Sequence, residues 1–300
     1  MNRVSKTPDP VLRVAAVQMN SAGSIGENLS RLEAFAERAA AARADAVLFP
    51  ECVTTGYGFD FAKLDPAEIR DALGVIGRLA RRLKTHLLAG SPVFDGRHWF
   101  NGLAVFNRSG RLVHVYSKCQ LTESDRRWFT PGESLSLFRI DGVPATAIIC
   151  HERRYPELVR VPVMAGARMV FHPNAGMDAL AVSKAKRGGR DGIAVRAFEN
   201  AVPYVFANTV GPQGGGKWSA GDSKIVGADG VCIELADNRR ETFVIADLDL
   251  RLATRKYALD SLRHPRVLAR HWRGLLREVR EGAVAADRRF RDWFGRGTAR

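Results

Sequence analysis

The sequence predicts a single α/β domain with more antiparallel hairpins than a simple doubly wound sheet. Apolar runs of strand length alternate with amphipathic segments of helical length over most of the 300 residues. The pair Ser109-Gly110 separates two apolar runs and is typical of a hairpin turn. A hydrophobic content of 46% suffices for a sizeable core, and the chain shows neither an internal repeat nor a linker-like segment.

The first half of the chain predicts five strands and two helices. LRVAAVQM (12–19) has the pattern of a buried strand, and Pro50 stops the strand AVLFPE (46–51). Between them a helix is predicted over 27–44. Its buried face would carry Leu29, Leu32, Phe35, Ala36 and Ala39. The other elements are a helix over 69–84 and the strands LLAG (87–90), GLAVF (102–106) and RLVHVYS (111–117).

The second half predicts further strands and two helices before a helical tail. The glycine-rich GPQGGG (211–216) lacks the spacing and the following helix of a phosphate-binding loop, so we expect a mobile loop there. The predicted elements are strand 145–150, helix 156–165 with a proline in its first turn, strand 167–173, helix 190–200, strand 203–208, a hairpin over 223–235 and strand 244–250.

The net charge of +14 raises the question of a polyanion-binding surface. Residues 251–300 contain 14 Lys and Arg against 5 Asp and Glu, a net charge of +9, which leaves +5 for the first 250 residues. A solvated, arginine-rich helical face explains this distribution, and no aromatic-basic interleaving accompanies it. Nucleic acid is therefore not a favoured partner. We expect a disordered lead-in (1–11), one domain (12–250) and a basic helical C-terminal extension (251–300) of the same domain.

Cysteine usage and hydropathy indicate a cytoplasmic protein. The four cysteines lie far apart and show no CxxC pairing, which argues against a zinc site and against a disulfide scaffold. The N-terminus MNRVSKTPDPVL lacks the apolar core of a secretory signal. No stretch approaches the roughly 20 apolar residues that a membrane-spanning helix needs, so no membrane partner is expected.

Three apolar runs each end on a chemically competent residue: Glu51, Lys118 and Cys150. Reactive groups in α/β sheets cluster beyond the carboxyl ends of strands, where loops converge over a rigid base. A thiol is a useful nucleophile only as a thiolate, which at neutral pH requires a nearby base or cation. Glutamate can take the thiol proton, and lysine can stabilise both the thiolate and an oxyanion. The set therefore fits a nucleophilic site.

Residue type and position alone do not exclude a purely structural role for these residues. A lone cysteine after an apolar strand is most often a small core residue. Cys52 and Cys119 directly follow the glutamate and the lysine, so in extended backbone their side chains should point away from a shared site. Cys232 lies in the late hairpin and is expected to be structural. His151 could act as a base, but adjacent residues rarely reach that geometry.

The motifs FPECVTTGY (49–57), VYSKCQLTESDRRWFTPG (115–132) and ICHERRYPEL (149–158) resemble those of the nitrilase superfamily of carbon–nitrogen hydrolases, in its amidase and N-carbamoyl amidohydrolase-like branch. Arg154-Tyr155-Pro156-Glu157 stands at the family's spacing from the cysteine. The segments 196–211 and 219–234 resemble later segments of the family. The likeness covers roughly residues 12–250, in the family's order.

This resemblance implies an α-β-β-α sandwich, a Glu51–Lys118–Cys150 triad, no metal and no organic cofactor. Glu51 would act as general base and later as general acid. Cys150 would attack the carbon of a C–N bond, while Lys118 and a backbone N–H after the cysteine would stabilise the oxyanion. Amine or ammonia would leave, and water would hydrolyse the thioester. Desolvation alone would raise the thiol pKa, so the lysine charge is needed nearby.

The resemblance also implies a second acidic residue in the loop after the lysine. The loop KCQLTESDRRWFTPG offers Glu123 and Asp125. Counting back from Gly132 favours Asp125, whereas the residue type favours Glu123. We expect Glu123 to be the catalytic residue of the two, with an insertion or deletion in the loop explaining its offset.

The residues around Cys150 give the substrate clues. Glu152 stands where many family members have aspartate, which is a departure from the pattern. Arg153-Arg154 resembles the cysteine region of N-carbamoyl-D-amino acid amidohydrolases, where arginines there bind the substrate carboxylate. Arg154 can equally be the common structural arginine paired with Glu157. We expect Arg153 and His151 to contact substrate.

His172 ends the predicted strand ARMVFH, and we expect it to bind substrate with them. The preferred substrate is a small amide or N-carbamoyl compound that carries a carboxylate. A nitrile substrate, converted to acid and ammonia, is the alternative. Less favoured is a polyanion-binding protein that has kept a hydrolase fold. C-terminal extensions stabilise oligomers in this family, so a homodimer or higher homo-oligomer is expected.

Overall fold

Two six-stranded sheets face each other in the computed structural model, which describes residues 11–185 and 192–295. The strands are β1 (Val11–Gln18), β2 (Ala46–Leu48), β3 (His86–Phe94), β4 (Trp99–Phe106), β5 (Leu112–Ser117), β6 (Phe138–Ile140), β7 (Val143–Ala147), β8 (Val170–Asn174), β9 (Met177–Ala179), β10 (Tyr204–Asn208), β11 (Val210–Pro212), β12 (Lys217–Ala220), β13 (Lys224–Val226), β14 (Cys232–Leu235) and β15 (Thr242–Asp249). The helices are α1 (Ile25–Ala41), α2 (Pro66–Leu83), α3 (Glu157–Ala165), α4 (Leu180–Ala185), α5 (Ile193–Asn200), α6 (Lys256–Ser261) and α7 (Arg266–Gly295).

The first sheet has the strand order β15-β1-β2-β3-β4-β5, and the second has the order β14-β13-β10-β8-β7-β6. In each sheet the central strands run parallel and the outer ones antiparallel. Parallel neighbours end at the same edge of a sheet, so their following loops meet there. A third, small sheet of order β11-β12-β9 lies outside the sandwich.

The side chains of β1 point alternately to the two faces of its sheet, and this alternation explains why the sheets stack. Val14 and Ala16 belong to the core that includes residues of the second sheet, whereas Ala15 and Val17 pack with α1 and α2. On the other side, α3 and α5 pack against the second sheet at β7 and β10. Each sheet thus buries both faces. This arrangement confirms the predicted α-β-β-α sandwich.

Helix starts follow capping side chains more closely than hydrophobic periodicity. Ser24 accepts a hydrogen bond from Glu27 N and forms a capping box, so α1 begins at Ile25 rather than at 27. Asp65 caps α2 in the same way, with Pro66 in its first turn. The predicted start at 69 is therefore three residues late.

Several short elements differ from the sequence prediction. The strand predicted over 145–150 ends at Ala147, so Cys150 lies outside it. The expected mobile loop GPQGGG is largely the turn of the β11–β12 hairpin, with Gly211 paired to Ser219. Strands β6, β9, β11 and β12 are too short for periodicity to reveal. Of the helix predicted over 190–200, residues 190 and 191 lie outside the described residues, as does most of the lead-in.

The basic C-terminal segment is part of the same packed structure. Helix α7 lies against β5 and α3, and its Phe290 and Trp293 are buried with the first sheet. Asp287 on α7 accepts a hydrogen bond from Val115 N at 3.0 Å, which gives a partner to a backbone donor of the edge strand β5. Within the described ranges, none of the helices combines the length and the apolar character that crossing a membrane requires.

Candidate active site

Cys150 lines a cavity of about 630 Å³ at the edge of the sandwich, and Glu51 and Lys118 lie buried beneath it. Glu51 comes three residues after β2 and Lys118 comes one residue after β5, both in the first sheet. Cys150 comes three residues after β7 in the second sheet. The structure therefore brings the three residues together from both sheets.

The Glu51 carboxylate is fully buried and fixed by three donors. Its Oε1 accepts hydrogen bonds from Lys118 Nζ and Asn101 Nδ2, both at 2.8 Å, and its Oε2 accepts one from Ala175 N at 3.0 Å. A Cβ atom at Gly90 would lie 2.3 Å from Pro50 O and 2.6 Å from Glu51 Cα. Glycine in β3 therefore lets the backbone that carries Glu51 approach the sheet.

Lys118 is held between two carboxylates. Its Nζ lies 2.8 Å from Glu51 Oε1 and 2.8 Å from Asp125 Oδ2, with all three side chains closed to solvent. Burial lowers the pKa of Lys118, but Glu51, a Cys150 thiolate and Asp125 raise it, and the result lies well above the ordinary value. Lys118 is therefore a permanent cation in the site.

Asp125, not Glu123, is the second acidic residue at Lys118, so the preference for Glu123 is corrected. Asp125 is 1% exposed, whereas Glu123 points to solvent. The cause is a local turn in which Thr122 N and Thr122 Oγ1 both donate to Asp125 Oδ2 at 2.9 Å. Burial raises the pKa of Asp125, but the Lys118 charge and the hydrogen bonds from Lys118, Tyr57 and Thr122 together lower it below the ordinary value. Asp125 therefore stays ionised.

Asn101 is a site residue that the sequence analysis missed. It is fully buried in β4 and donates through Nδ2 to Glu51 Oε1 and, at 3.2 Å, to Asp125 Oδ1. Its backbone O accepts from Lys118 N at 2.8 Å. A lone amide inside the apolar run WFNGLAVF was the available signal, because a buried amide needs polar partners.

Cys150 occupies a strained turn rather than the end of a strand. Its φ is +55°, a left-handed conformation that non-glycine residues rarely adopt, and it begins a 3₁₀ helix that runs to Arg154. Desolvation raises the pKa of the Cys150 thiol to about 12, and Glu51 adds to the rise while Lys118 opposes it. At neutral pH the resting thiol is therefore protonated.

His172 does not line the cavity, which corrects its predicted contact with substrate. It is fully buried beneath Cys150, with Nε2 2.8 Å from Cys150 O and Nδ1 2.9 Å from the hydroxyl of Tyr204. Because a carbonyl oxygen only accepts, Nε2 carries the proton. Arg153 Nη1 donates to the same carbonyl at 3.2 Å. These two contacts hold the Cys150 backbone in its strained conformation.

The rim of the cavity is rich in basic groups. His151, Arg153 and Arg154 line it on one side, and Lys217 from the β11–β12 hairpin lines it on another. Burial lowers the pKa of His151, and the Lys118 charge adds to that effect. The structure thus places His151 and Arg153 at the cavity. Arg154 also lines it, and no ion pair with Glu157 is present among the described residues.

Glu152, the departure from the family pattern, is fully buried beneath the cavity wall. Its Oε1 accepts from Cys119 N at 2.7 Å and Gln120 N at 3.0 Å, and its Oε2 accepts from Ile149 N at 2.7 Å. The hydroxyl of Tyr116 lies 3.0 Å from both oxygens. Glu152 therefore belongs to the support of the site rather than to its open surface.

The other three cysteines do not line the cavity. Cys52 is buried and its Sγ lies 3.7 Å from Asn101 Oδ1, while Cys119 Sγ lies 3.5 Å from Ser134 O. Cys232 is exposed in β14. Across the described part of the chain, no three His, Cys, Asp or Glu side chains are arranged to hold a metal ion.

The chain is similar in sequence to known carbon–nitrogen hydrolases. A sequence model described as "Carbon-nitrogen hydrolase" matches residues 13–257. The chain is 26% identical over 250 residues to an omega-amidase, NIT2, of Danio rerio, a match that covers 80% of this chain and 88% of the relative. It is 27% identical to a nitrilase of Pyrococcus abyssi, with 82% and 93% covered.

Solved structures show the same fold. A mutant of the amidase from Nesterenkonia sp. AN1 superposes with a TM-score of 0.74 at 22% identity, covering 91% of this chain and all of that one. That structure shows covalent addition of the acetamide moiety of fluoroacetamide at the active-site cysteine of that amidase.

Proposed function

This chain belongs to the carbon-nitrogen hydrolase family, and on that premise we propose that it hydrolyses a small amide or N-carbamoyl compound through a thioester on Cys150. The observation that carries the proposal is the cluster at the cavity floor. There a cavity-lining thiol stands above a buried lysine that is bonded to two buried carboxylates. The relative named omega-amidase supports an amide as the substrate.

The first step is attack of the Cys150 sulfur on the carbonyl carbon of the substrate. The thiol is protonated at rest because its pKa is raised to about 12, so attack requires a base. Glu51 takes the thiol proton as the S–C bond forms and the carbonyl electron pair moves onto oxygen. The product of this step is a tetrahedral oxyanion.

Lys118 stabilises that oxyanion. An ammonium group has three N–H donors, and two of those on Lys118 face Glu51 and Asp125. The third is left for the substrate oxygen, together with the backbone N–H of His151 that follows the nucleophile. Because the cation is buried, it acts at low effective dielectric and needs no reorganisation.

Collapse of the intermediate transfers the Glu51 proton to the leaving nitrogen as the C–N bond breaks. Amine or ammonia departs, and the acyl group remains as a thioester on Cys150. Water then gives its proton to Glu51 and attacks the thioester carbon. The second tetrahedral intermediate expels the Cys150 sulfur, which recovers the proton, and the acid is released.

The cavity chemistry supports a substrate with an anionic group away from the scissile bond. Among the described residues of the lining, Arg153, Arg154 and Lys217 contribute three positive charges, against the one carboxylate of Asp178. A guanidinium binds a carboxylate through two parallel hydrogen bonds. A carboxylate-bearing amide or ureido acid is therefore the substrate class to test first.

A nitrile substrate is the second candidate because one relative is named a nitrilase. The same groups would hydrolyse a nitrile to the acid and ammonia through a Cys150 adduct, with two water molecules consumed. Product analysis on paired substrates separates the two: an amidase releases ammonia from the amide and leaves the matched nitrile unchanged.

Intact-mass analysis tests the proposal directly. We expect that mixing with a panel of amides, ureido acids and nitriles gives an acyl adduct on the wild-type chain. Cys150→Ala should abolish the adduct, whereas Cys232→Ala, which removes an exposed thiol remote from the cavity, should retain it. An adduct that persists in Cys150→Ala contradicts the assignment.

We also propose that the protein is a homodimer or higher homo-oligomer in the cytoplasm. Phe198 of α5 and Tyr257 of α6 are 54% and 44% exposed, with their ring centroids 6.0 Å apart. Exposed aromatic rings in contact support a covered surface. The cysteines lie far apart in the sequence and form no CxxC pair, in keeping with a reducing compartment. Sedimentation analysis of wild type and Phe198→Glu tests the oligomer, which the substitution should dissociate.

A further inference from the structure

The buried carboxylate of Glu152 joins the two chain segments that carry the lysine and the nucleophile. Its Oε1 accepts from the backbone N–H groups of Cys119 and Gln120, which come directly after Lys118. Its Oε2 accepts from the backbone N–H of Ile149, directly before Cys150. One side chain therefore bridges the neighbours of both reactive groups.

Those two segments belong to different sheets. Lys118 follows β5, the edge strand of the first sheet, and Cys150 follows β7, an inner strand of the second. No backbone ladder pairs β5 with β7 in the described sheets. The separation of the lysine from Cys150 is therefore not set by a shared strand ladder, and Glu152 supplies a polar contact between the two segments.

We propose that Glu152 is a positioning residue for hydrolysis, and that its carboxylate fixes the Cys150 turn relative to Lys118. The inference rests on the proposed function, because it assigns Glu152 a part in that reaction. A carboxylate is the group required, since three backbone N–H groups and the Tyr116 hydroxyl all present donors to it. Glutamine would turn donors of its own toward them. Aspartate is one methylene shorter and cannot reach both segments at these distances.

The charge state of Glu152 links this contact to pH. Burial raises the pKa of Glu152 to about 7, against the lowering by the backbone N–H groups of Gln120 and Ile149 and by the Lys118 charge. Tyr116 and Cys119 are the other titratable groups in contact with it or its partners, and both keep their protons because the pKa of each is raised. Above pH 7 the ionised carboxylate accepts all its bonds. Below it, one oxygen carries a proton and loses acceptor capacity, so the positioning weakens as pH falls.

The test compares Glu152→Gln, Glu152→Asp and Tyr116→Phe with wild type on a small amide, at a temperature where circular dichroism shows each variant fully folded. We expect kcat to fall about 100-fold in Glu152→Gln, as for a misplacement of about 1 Å, while KM changes by less than about threefold. In wild type, kcat should decrease as the pH falls through the region near pH 7, which gives the kcat profile an acidic limb. This limb should vanish in Glu152→Gln. In Tyr116→Phe it should move to higher pH, because the carboxylate loses one donor.

If Glu152 only stabilised the fold, its substitution would lower kcat only in proportion to the loss of folded protein. The decrease of kcat toward acidic pH would then remain. A kcat within twofold of wild type in Glu152→Gln, or an unchanged limb in Tyr116→Phe, overturns the inference. Tyr116→Phe keeps the test decisive if Glu152→Gln does not fold. A wild-type protein that hydrolyses no member of the amide panel overturns the proposed function instead, so the two failures are distinguishable.

Discussion

Asn101 donates an amide N–H to Glu51 at 2.8 Å, so the residue proposed as the base depends on a neighbour that carries no charge. The second N–H of the same amide reaches Asp125 Oδ1 at 3.2 Å. Cys52 lies 3.7 Å from Asn101 Oδ1, and its thiol stays a donor because burial raises its pKa well above the ordinary value. The thiol thus keeps the amide nitrogen turned toward the two carboxylates around Lys118.

Asn101→Ala should lower kcat by about 10- to 100-fold, since a hydrogen bond to a charged group contributes roughly 1.5–3 kcal/mol. The two carboxylates would lose a shared donor and Glu51 would lose its fixed orientation. Steady-state kinetics on the preferred amide checks this. A kcat within twofold of wild type would show that Lys118 and Ala175 alone are enough to position Glu51.

Asp125→Asn should cost about 100-fold in kcat, whereas Glu123→Gln should leave kcat within twofold. Asp125 contacts Lys118 at 2.8 Å, and Glu123 points to solvent one turn away. Both substitutions remove one negative charge from the same loop, so the pair is matched for net charge. The opposite ranking of the two variants would restore Glu123 as the second acidic residue.

The Cys150 thiol should show no thiolate below about pH 9 in the resting protein. Burial and Glu51 hold its pKa near 12, so the neutral form persists until the pH approaches that value. Ultraviolet absorbance of the thiolate, measured as the difference between wild type and Cys150→Ser, checks the titration. A thiolate signal that appears below pH 8 would mean that the lysine, rather than Glu51, activates the nucleophile.

Gly90→Ala should abolish most of the activity by displacing Glu51. The added methyl group would lie 2.6 Å from Glu51 Cα and 2.3 Å from Pro50 O, so the backbone must shift. Gly26→Ala on the exposed start of α1 is the matched control, because nothing lies within 4 Å of its added Cβ. Paired kinetics and thermal unfolding measure the effect. Equal activity in the two variants would contradict the close approach at Gly90.

Phe290→Ala should destabilise the fold by about 3–5 kcal/mol, as large-to-small substitutions of buried aromatic residues do. Phe290 is 1% exposed and packs edge to face on Phe100 at a centroid distance of 5.5 Å. Arg288→Ala, on the exposed side of the same helix, should be within about 0.5 kcal/mol of wild type. Urea denaturation separates the two. Equal unfolding free energies would show that the C-terminal helix is only loosely attached.

The sequence predicted the reactive groups that follow strands, because strand periodicity ends visibly and a polar residue stands out there. Glu51 and Lys118 have that signature, whereas Cys150 continues an apolar run and was singled out by its spacing to Arg154-Tyr155-Pro156-Glu157. Their supporting residues do not, since Asn101 lies inside a strand and Asp125 differs from its neighbour Glu123 only through a turn made by Thr122. Hydrophobic patterns carry no information on such a turn.

The prediction for His172 failed for a related reason. His172 lies in the middle of β8 rather than at its end, and in a parallel strand one residue of register decides whether a side chain faces the cavity or the layer beneath it. Here the imidazole turns inward to the Cys150 carbonyl and to Tyr204. The strand was predictable, but the face on which His172 lies was not.

The stacking of the two sheets has a consequence for how this protein should fail under stress. The proposed base Glu51 and the Lys118 cation stand on one sheet and Cys150 on the other, so turnover requires the two sheets to keep their relative position to within a fraction of an ångström. Global unfolding requires the far larger loss of the whole apolar layer between them. Catalysis should accordingly be the more fragile property. In mild urea or near the thermal midpoint, turnover should disappear while the circular dichroism spectrum is still that of the native protein.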